Sequence, residues 1–475
     1  MKLGSKTKII ATLGPSSNDK DVLRKMILAG LDVFRLNFSH GTNEEKETSI
    51  KIIRELEEEL GFDIAILLDL QGPKIRVGKI VDEPRVLKAG DIIYFTSNPD
   101  ISEDNVFYIS YKNFVDDVRA GNIILVDDGK IKLEIISVDK DNQIVSTKVL
   151  YGGPLYSNKG VNLPNTVTSL PSLTDKDKQD ILFALNNNIS WVALSFVRKP
   201  EDVTTLRDYV SKFNKEINII AKIEKPEAVK NIDQIIRVSD GIMVARGDLG
   251  VEMNFDKVPV IQKMIVEKCI DNSKPVIIAT QMLESMIKNF SPTRAEANDI
   301  ANSVDDGADA LMLSGETSVG DYPVETVKAM QSIIDYTEEN RNIYYKNHLP
   351  DPLSNDFLPE SLCYNACLMA QQTNARAIIP FTYSGYTAIE LSSHRPKADI
   401  FAFTGNEKLL KILPLLWGVN AYYFPIFDSI DKAIEYSISV LLKEKRIRKG
   451  DLLIHIASTP LCAKDRTNMI KLTKV

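Results

Sequence analysis

Cysteine and histidine are scarce here, four of each in 475 residues. Cys363 and Cys367 stand four apart. No histidine or second cysteine pair completes a zinc motif around them, so one face of an apolar helix is the better reading. Scattered cysteines in a long chain suit a reducing compartment rather than a disulfide scaffold. No apolar run approaches the length needed to cross a bilayer, which argues against a membrane partner. The basic start, Met1 to Lys8, leads into only a short apolar run with no small-residue cleavage site. A secretory leader is therefore not expected, and the expected location is the cytoplasm. There is no excess of positive charge: the net charge is −7, which argues against general nucleic-acid binding. No internal repeat or low-complexity tract stands out.

What is present is a regular alternation. At 475 residues the chain is too long for one ordinary core, and two to four domains are expected. Short apolar runs predict strands at Lys8–Leu13, Asp32–Phe38, Ala65–Leu70, Trp191–Phe196, Ile217–Glu224, Gly241–Ala245, Pro275–Thr280 and Ala310–Ser314. Most are separated by one helix's worth of sequence, such as Asn18–Ala29 and Glu44–Leu60. Alternating β and α units imply parallel strands with crossovers, and eight of them suggest a (β/α)8 TIM barrel.

One unit is interrupted. Between about Val77 and Leu170 the helical signal gives way to short alternating strands and turns such as Asp127-Asp128-Gly129. This predicts a small β-barrel lid domain inserted after the third barrel strand. The barrel resumes at Thr174-Asp175-Lys176-Asp177, a helix start rich in capping residues and acids. A proline-marked segment, Lys346–Pro359, then leads to a second α/β pattern with strands at Ala377–Phe381, Ile400–Phe403, Ala421–Phe424 and Leu452–Ile456. The expected α/β organisation is thus barrel (1–76), inserted lid (77–170), barrel (171–347) and C-terminal open-sheet domain (348–475).

Parallel barrels collect their chemistry at the carboxyl ends of the strands, and polar residues crowd those ends here. They are Arg35, Asn37, Ser39 and His40; Asp69; Lys222 and Glu224; Arg246, Gly247 and Asp248; Thr280 and Gln281; Ser314 and Glu316. Packing alone does not explain so many, since charges are rarely buried unpaired. Glu224 and Asp248, on adjacent strand ends, could hold a hard divalent cation. Lys222 leaves the same strand face as Glu224. It either forms a plain ion pair or adds positive charge for a phosphate or an enolate. Gly247 and the residues after it could offer main-chain N–H groups to an anion.

These motifs resemble those of the pyruvate kinases. Ile217–Val229, which includes Ala221-Lys222-Ile223-Glu224-Lys225-Pro226, looks like that family's active-site signature. In the same order as in that family come Thr12–Ser17, Arg35–Gly41, Gly160–Pro164, Ser195–Lys199, Ala245–Gly250, Ala279–Met286 and Leu313–Thr317. The resemblance spans essentially the whole chain. It implies transfer of a phosphoryl group from phosphoenolpyruvate to ADP, giving pyruvate and ATP. It also implies Mg²⁺ or Mn²⁺ on Glu224 and Asp248, Lys222 beside the transferred phosphate and the enolate, and Arg35 on that phosphate. Thr280, Gly247 and Asp248 receive the substrate carboxylate. Arg76 and Lys159, with Asn37 and His40, reach the nucleotide. Ser314 and Glu316 belong to the proton-delivery network. The same resemblance implies a homotetramer.

One departure stands out. Many family members need K⁺ and carry Asp-Thr-Lys-Gly-Pro-Glu at the third strand end, where this chain reads Asp69-Leu70-Gln71-Gly72-Pro73-Lys74. The family's monovalent site maps onto Asn37, Ser39, Asp69 and the Leu70 carbonyl. An ammonium at Lys74 repels K⁺ and can supply its charge, so K⁺ independence is expected. In the C-terminal region Thr382, Ser384, Gly385 and Thr387 follow a strand and precede a helix. They make either a phosphate cradle for a phosphosugar or nucleotide effector, or a simple N-cap. The last loop, Ser458–Asn468, fits the sugar-diphosphate-activated members only at Arg466-Thr467-Asn468. A metal-dependent lyase and a non-catalytic relative are the rival readings. The lyase needs neither Arg76 nor Lys159 nor the insertion, and the non-catalytic relative would lack Lys222, Glu224, Asp248 or Arg35.

Overall fold

A computed structural model describes residues 4–80, 83–98, 105–164, 166, 168–346, 348–425, 429–461 and 466–475. The expected loop residues Cys462 to Asp465 and the start of the basic N-terminus, Met1 to Leu3, lie outside them. No described helix is long and apolar enough to cross a membrane.

Eight strands close into a barrel in chain order: Lys8–Thr12, Val33–Asn37, Ala65–Asp69, Trp191–Leu194, Asn218–Ile223, Gly241–Ala245, Val276–Ala279 and Ala310–Leu313. All neighbouring pairs are parallel, and the first strand closes on the last. Runs such as Ala65-Ile66-Leu67-Leu68 are buried throughout, because a parallel barrel covers both faces of each strand. Ile10, Leu67, Trp191, Ile220, Met243 and Met312 fill the interior, while a larger cluster packs the strands against the helices.

Local signals set the helix starts. Thr42 and Glu45 form a reciprocal capping box at helix Asn43–Leu60, which ends on Gly61 at φ 76°. Thr174 and Asp177 cap helix Asp175–Asn186 as the sequence predicts. The Asp177 carboxylate also accepts a hydrogen bond from the Gly72 N–H at 3.1 Å, tying that helix to the loop after strand three.

The inserted segment folds as a six-stranded sheet with a two-stranded ribbon beside it, around its own core of Phe95, Phe114, Leu133 and Val149 among others. Asn162 donates to Glu252 across the gap to the barrel at 2.8 Å. Arg198, after the fourth barrel strand, donates to the Thr168 and Leu170 carbonyls at 2.8 and 2.7 Å and clamps the returning chain.

The C-terminal sheet has five strands, with helices on both faces. Four of them were expected. The fifth, Met469–Lys474, is an antiparallel edge on Leu452–Ala457. Its burial alternates only weakly, which explains its faint sequence signal. Leu415 from this domain packs among the barrel-interior residues, and Trp191 donates its indole N–H to the Ile412 carbonyl at 3.2 Å. At the same junction Arg395 is 2% exposed, pairs with Asp309 at 2.8 Å and lies over Trp417.

Candidate active site

The strand ends place the sequence-selected charges in one cluster. Arg35 reaches Asp69 through Nε and Nη2, both at 2.7 Å, and donates to Thr12 Oγ1 at 2.8 Å. Lys222 Nζ stands 3.1 Å from Asp69 Oδ1, 2.9 Å from Glu224 Oε1 and 2.7 Å from Ser195 Oγ. Ser195 Oγ donates in turn to the Leu70 carbonyl at 2.7 Å. Asp69 is thus the hub between two cations. Burial alone raises its pKa, but Lys222 and Arg35 outweigh that and hold it below the ordinary value. Lys222 shows the converse. Burial disfavours its charge, yet Asp69, Glu224 and Asp248 keep it more firmly protonated than an ordinary lysine.

Glu224 is 1% exposed, and the Phe196 N–H donates to its Oε2 at 2.7 Å. Burial pushes its pKa up to about 7; Lys222 opposes the rise and Asp248 adds to it. A buried carboxylate whose pKa stays raised although Lys222 and the Phe196 N–H touch it, and which feels a second carboxylate, fits a hard divalent cation. Glu224 and Asp248 are therefore the residues here that could hold Mg²⁺ or Mn²⁺.

Asp248 sits in the first turn of helix Arg246–Glu252, which starts directly at the end of strand six. Gly247 N–H donates to Thr280 Oγ1 at 2.7 Å. A Cβ on Gly247 would stand 3.3 Å from that oxygen, so the close approach favours glycine. Arg246 binds Asp299 with two bonds of 2.8 and 2.7 Å and also the Thr280 carbonyl, so it holds the loop together. Thr280 and Gln281 have φ of 69° and 56°, and Phe196 has 57°. Left-handed backbone at a β-branched residue is costly, so Thr280 marks a strained strand end.

Glu316 is fully buried and accepts from the Ser314 and Leu283 N–H groups at 2.7 and 3.1 Å. The buried Ser314 Oγ has no hydrogen-bond partner among the described residues. Asn37 Oδ1 accepts from the Ser39 N–H at 3.0 Å.

On the lid side, Arg76 donates to the Asn158 carbonyl at 2.8 Å and Lys159 pairs with Asp127 at 2.9 Å. Lys74 is exposed, and its Cε lies 3.2 Å from where a Cβ on Gly160 would stand. His40 reports the local field: burial lowers its pKa, and Arg76, Lys74, Lys46 and Arg35 lower it further. A neighbourhood of four cations suits a polyphosphate.

Among the C-terminal candidates, Gly385 caps helix Tyr386–Ser393 at φ 87° and donates to Thr382 Oγ1 at 3.0 Å. Ser384 Oγ accepts from the Tyr386 N–H at 3.4 Å, and the Thr387 and Thr467 hydroxyls lie 2.8 Å apart. In sequence Thr12 and Ser195 stand out only as motif members, yet they contact and position Arg35 and Lys222. Their small hydroxyls at strand ends carry no charge signal in sequence.

Comparison with known proteins agrees with this layout. The family model "Pyruvate kinase, barrel domain" matches residues 4–327, and "Pyruvate kinase, alpha/beta domain" matches residues 360–473. A pyruvate kinase of Staphylococcus epidermidis is 41% identical over 98% of this chain and 80% of its own length. One from Geobacillus stearothermophilus is 41% identical with the same coverage. The crystal structure of a pyruvate kinase from Cryptosporidium parvum superposes with a TM-score of 0.92 at 35% identity, covering 99% of this chain and 96% of that one. The chain therefore belongs to the pyruvate kinase family, the phosphotransferases that convert phosphoenolpyruvate and ADP to pyruvate and ATP.

Proposed function

We propose that the strand-end cluster carries this phosphoryl transfer through positioned charge. The observation that supports it is Lys222, held at 2.9 to 3.1 Å from two buried carboxylates, with Arg35 on the other side of Asp69. Phosphoryl transfer needs alignment and neutralisation more than covalent chemistry by the protein. Arg35 and Lys222 grip the phosphate in flight, and Lys222 then faces the enolate oxygen left behind. The divalent ion held by Glu224 and Asp248 supplies further positive charge to substrate oxygens. Thr280, with the main chain of Gly247 and Asp248, seats the substrate carboxylate. Arg76, Lys159, Asn37 and His40 take the nucleotide. Ser314, whose hydroxyl is unpartnered, passes a proton to the enolate carbon, with Glu316 fixing its loop. Closure of the inserted domain excludes water and limits hydrolysis. A coupled assay for pyruvate from phosphoenolpyruvate and ADP tests the reading. No pyruvate in the presence of Mg²⁺ would refute it.

The enzyme works without K⁺. Lys74 supports this, because its charge and that of Arg35 both act on His40, next to Ser39. Asp69 and the Leu70 carbonyl are also already engaged by protein donors. Turnover measured with all K⁺ replaced by a bulky quaternary ammonium should persist, and its collapse would refute the idea. The loop Thr382, Ser384, Gly385 and Thr387 binds a phosphosugar or nucleotide effector, a reading supported by its place at a helix N-terminus. A thermal-shift screen of sugar phosphates and nucleotides tests it. The active form is a cytoplasmic homotetramer, to be checked by sedimentation.

A further inference from the structure

Two of the chain's four histidines meet where the barrel joins the C-terminal domain. His348 lies on the segment that leaves the barrel. Glu390 lies on helix Tyr386–Ser393, and His394 caps its end. One ligand atom from each of the three lies within 4.8 Å of the other two. His394 is 1% exposed and Glu390 8%. The two imidazoles stack with centroids 4.3 Å apart, 22° from parallel. Among the described residues, Nδ1 of each is buried with no hydrogen-bond partner, and so is the hydroxyl of Tyr386, one turn before Glu390. Buried polar atoms without partners are costly. The two imidazole nitrogens beside one buried carboxylate point to a bound group that satisfies them.

We propose that His348, Glu390 and His394 bind one borderline divalent transition-metal ion of the Zn²⁺ class, separate from the divalent site at the barrel mouth. Two imidazoles and a carboxylate suit such an ion, whereas Mg²⁺ prefers oxygen alone. The span allows it. An ion at the centre of a triangle with 4.8 Å sides is about 2.8 Å from each corner, so each donor moves by about 0.7 Å or less to reach about 2.1 Å, and the two stacked rings must also turn so that their in-plane lone pairs converge on the ion.

The surroundings agree. Burial holds both histidines in the neutral, ligating form, with His394 lowered to about 3. Burial raises Glu390 to about 7, and Glu360 and Asp356 raise it further, while Lys274 and a hydrogen bond from Ser273 oppose the rise. Asp271, a hydrogen bond from the His348 ring to the Lys346 main chain, and Glu360 act on His348 in favour of positive charge; that bond occupies the ring nitrogen other than the unpartnered Nδ1. The opposing cation, Arg395, is tied to Asp309 and the Gly307 carbonyl, both at 2.8 Å. Ser273, just beyond barrel helix Val258–Asp271, donates to Glu390 Oε2 at 2.9 Å. That bond orients the carboxylate and leaves Oε1 to ligate, as outer partners of metal ligands commonly do. The ion staples the inter-domain segment to the helix whose N-terminus carries Ser384 and Gly385.

The test uses the full-length protein, stripped by chelation and returned to excess Mg²⁺ so that Glu224 and Asp248 are occupied. It is titrated with Zn²⁺ by calorimetry and with Co²⁺ by visible absorption. One equivalent per chain is expected, with a rise in melting temperature and with Co²⁺ bands of histidine ligation. In H348A and in H394A the affinity should fall by about 100-fold or more. His348 is on a half-buried connecting segment, so H348A keeps its fold, checked by unchanged Mg²⁺-dependent turnover. No stoichiometric equivalent, or one that survives H348A, overturns the proposal.

Discussion

At the barrel mouth, Arg35, Asp69, Lys222 and Glu224 are nearly buried, and each charge is matched within 3.1 Å. Across the cleft, Arg76 and Lys159 belong to the lid side. Lys159 is 38% exposed at its side chain, and both rest on replaceable partners, a carbonyl and Asp127. The two regions handle the same kind of ligand charge differently. The mouth is pre-organised, which in the proposed reaction would fix the reacting atoms at the cost of burying charge. The lid keeps long, solvated cations that exchange one partner for another, which suits a nucleotide that arrives and leaves.

Substitutions should separate the two regimes. The largest effect is expected for Lys222→Met, a loss of turnover of about 10³-fold or more with divalent-ion binding largely kept. Near-normal turnover, measured by stopped-flow, would remove Lys222 from the chemistry. Asp69→Asn comes next. It strands Lys222 and Arg35 beside each other without their shared counter-charge and should cost about 3 kcal/mol in urea unfolding. Folded Asp69 has a lowered pKa, so its stabilisation is present at neutral pH and is lost as pH falls through that lowered value. The wild-type advantage over Asp69→Asn should therefore shrink in acid.

Divalent-ion affinity should depend on pH, because Glu224 must lose its proton to bind. With its pKa near 7 in the metal-free protein, Mg²⁺ binding should weaken by up to about tenfold per pH unit below that value and level off above it. Calorimetry at several pH values reads this directly, and a flat profile would contradict it. Lid changes should be milder. Lys159→Ala should raise the KM for ADP about tenfold with a small change in kcat. The smallest effect belongs to Asn162→Ala, which removes the lid-to-barrel bond to Glu252 and is worth about 1 kcal/mol, or about fivefold in nucleotide affinity.

Much of the fold was legible because its signals are local. Fully buried parallel strands read as apolar runs, the capping residues at Thr174 and Asp177 mark a helix start, and the lost helical period from Val77 to Leu170 marks the insertion. The antiparallel edge strand Met469–Lys474 escaped because it is half solvated and weakly patterned. In the site, charged residues at strand ends announced themselves. Thr12 and Ser195 did not, since a hydroxyl signals nothing until it is seen against Arg35 or Lys222.

By itself the sequence determined the order of barrel, insertion and second α/β domain, the residues at the mouth and the Lys74 substitution, because periodicity and motif order are properties of neighbouring residues. Tertiary structure alone decided that Asp69 is the hub of two cations and that Thr280 is held at positive φ. It also brought His348 to Glu390 and His394. In sequence, His348 stands 42 residues from Glu390. No spacing rule links them, and only the packing of the connecting segment against the helix sets the distance at which an ion fits.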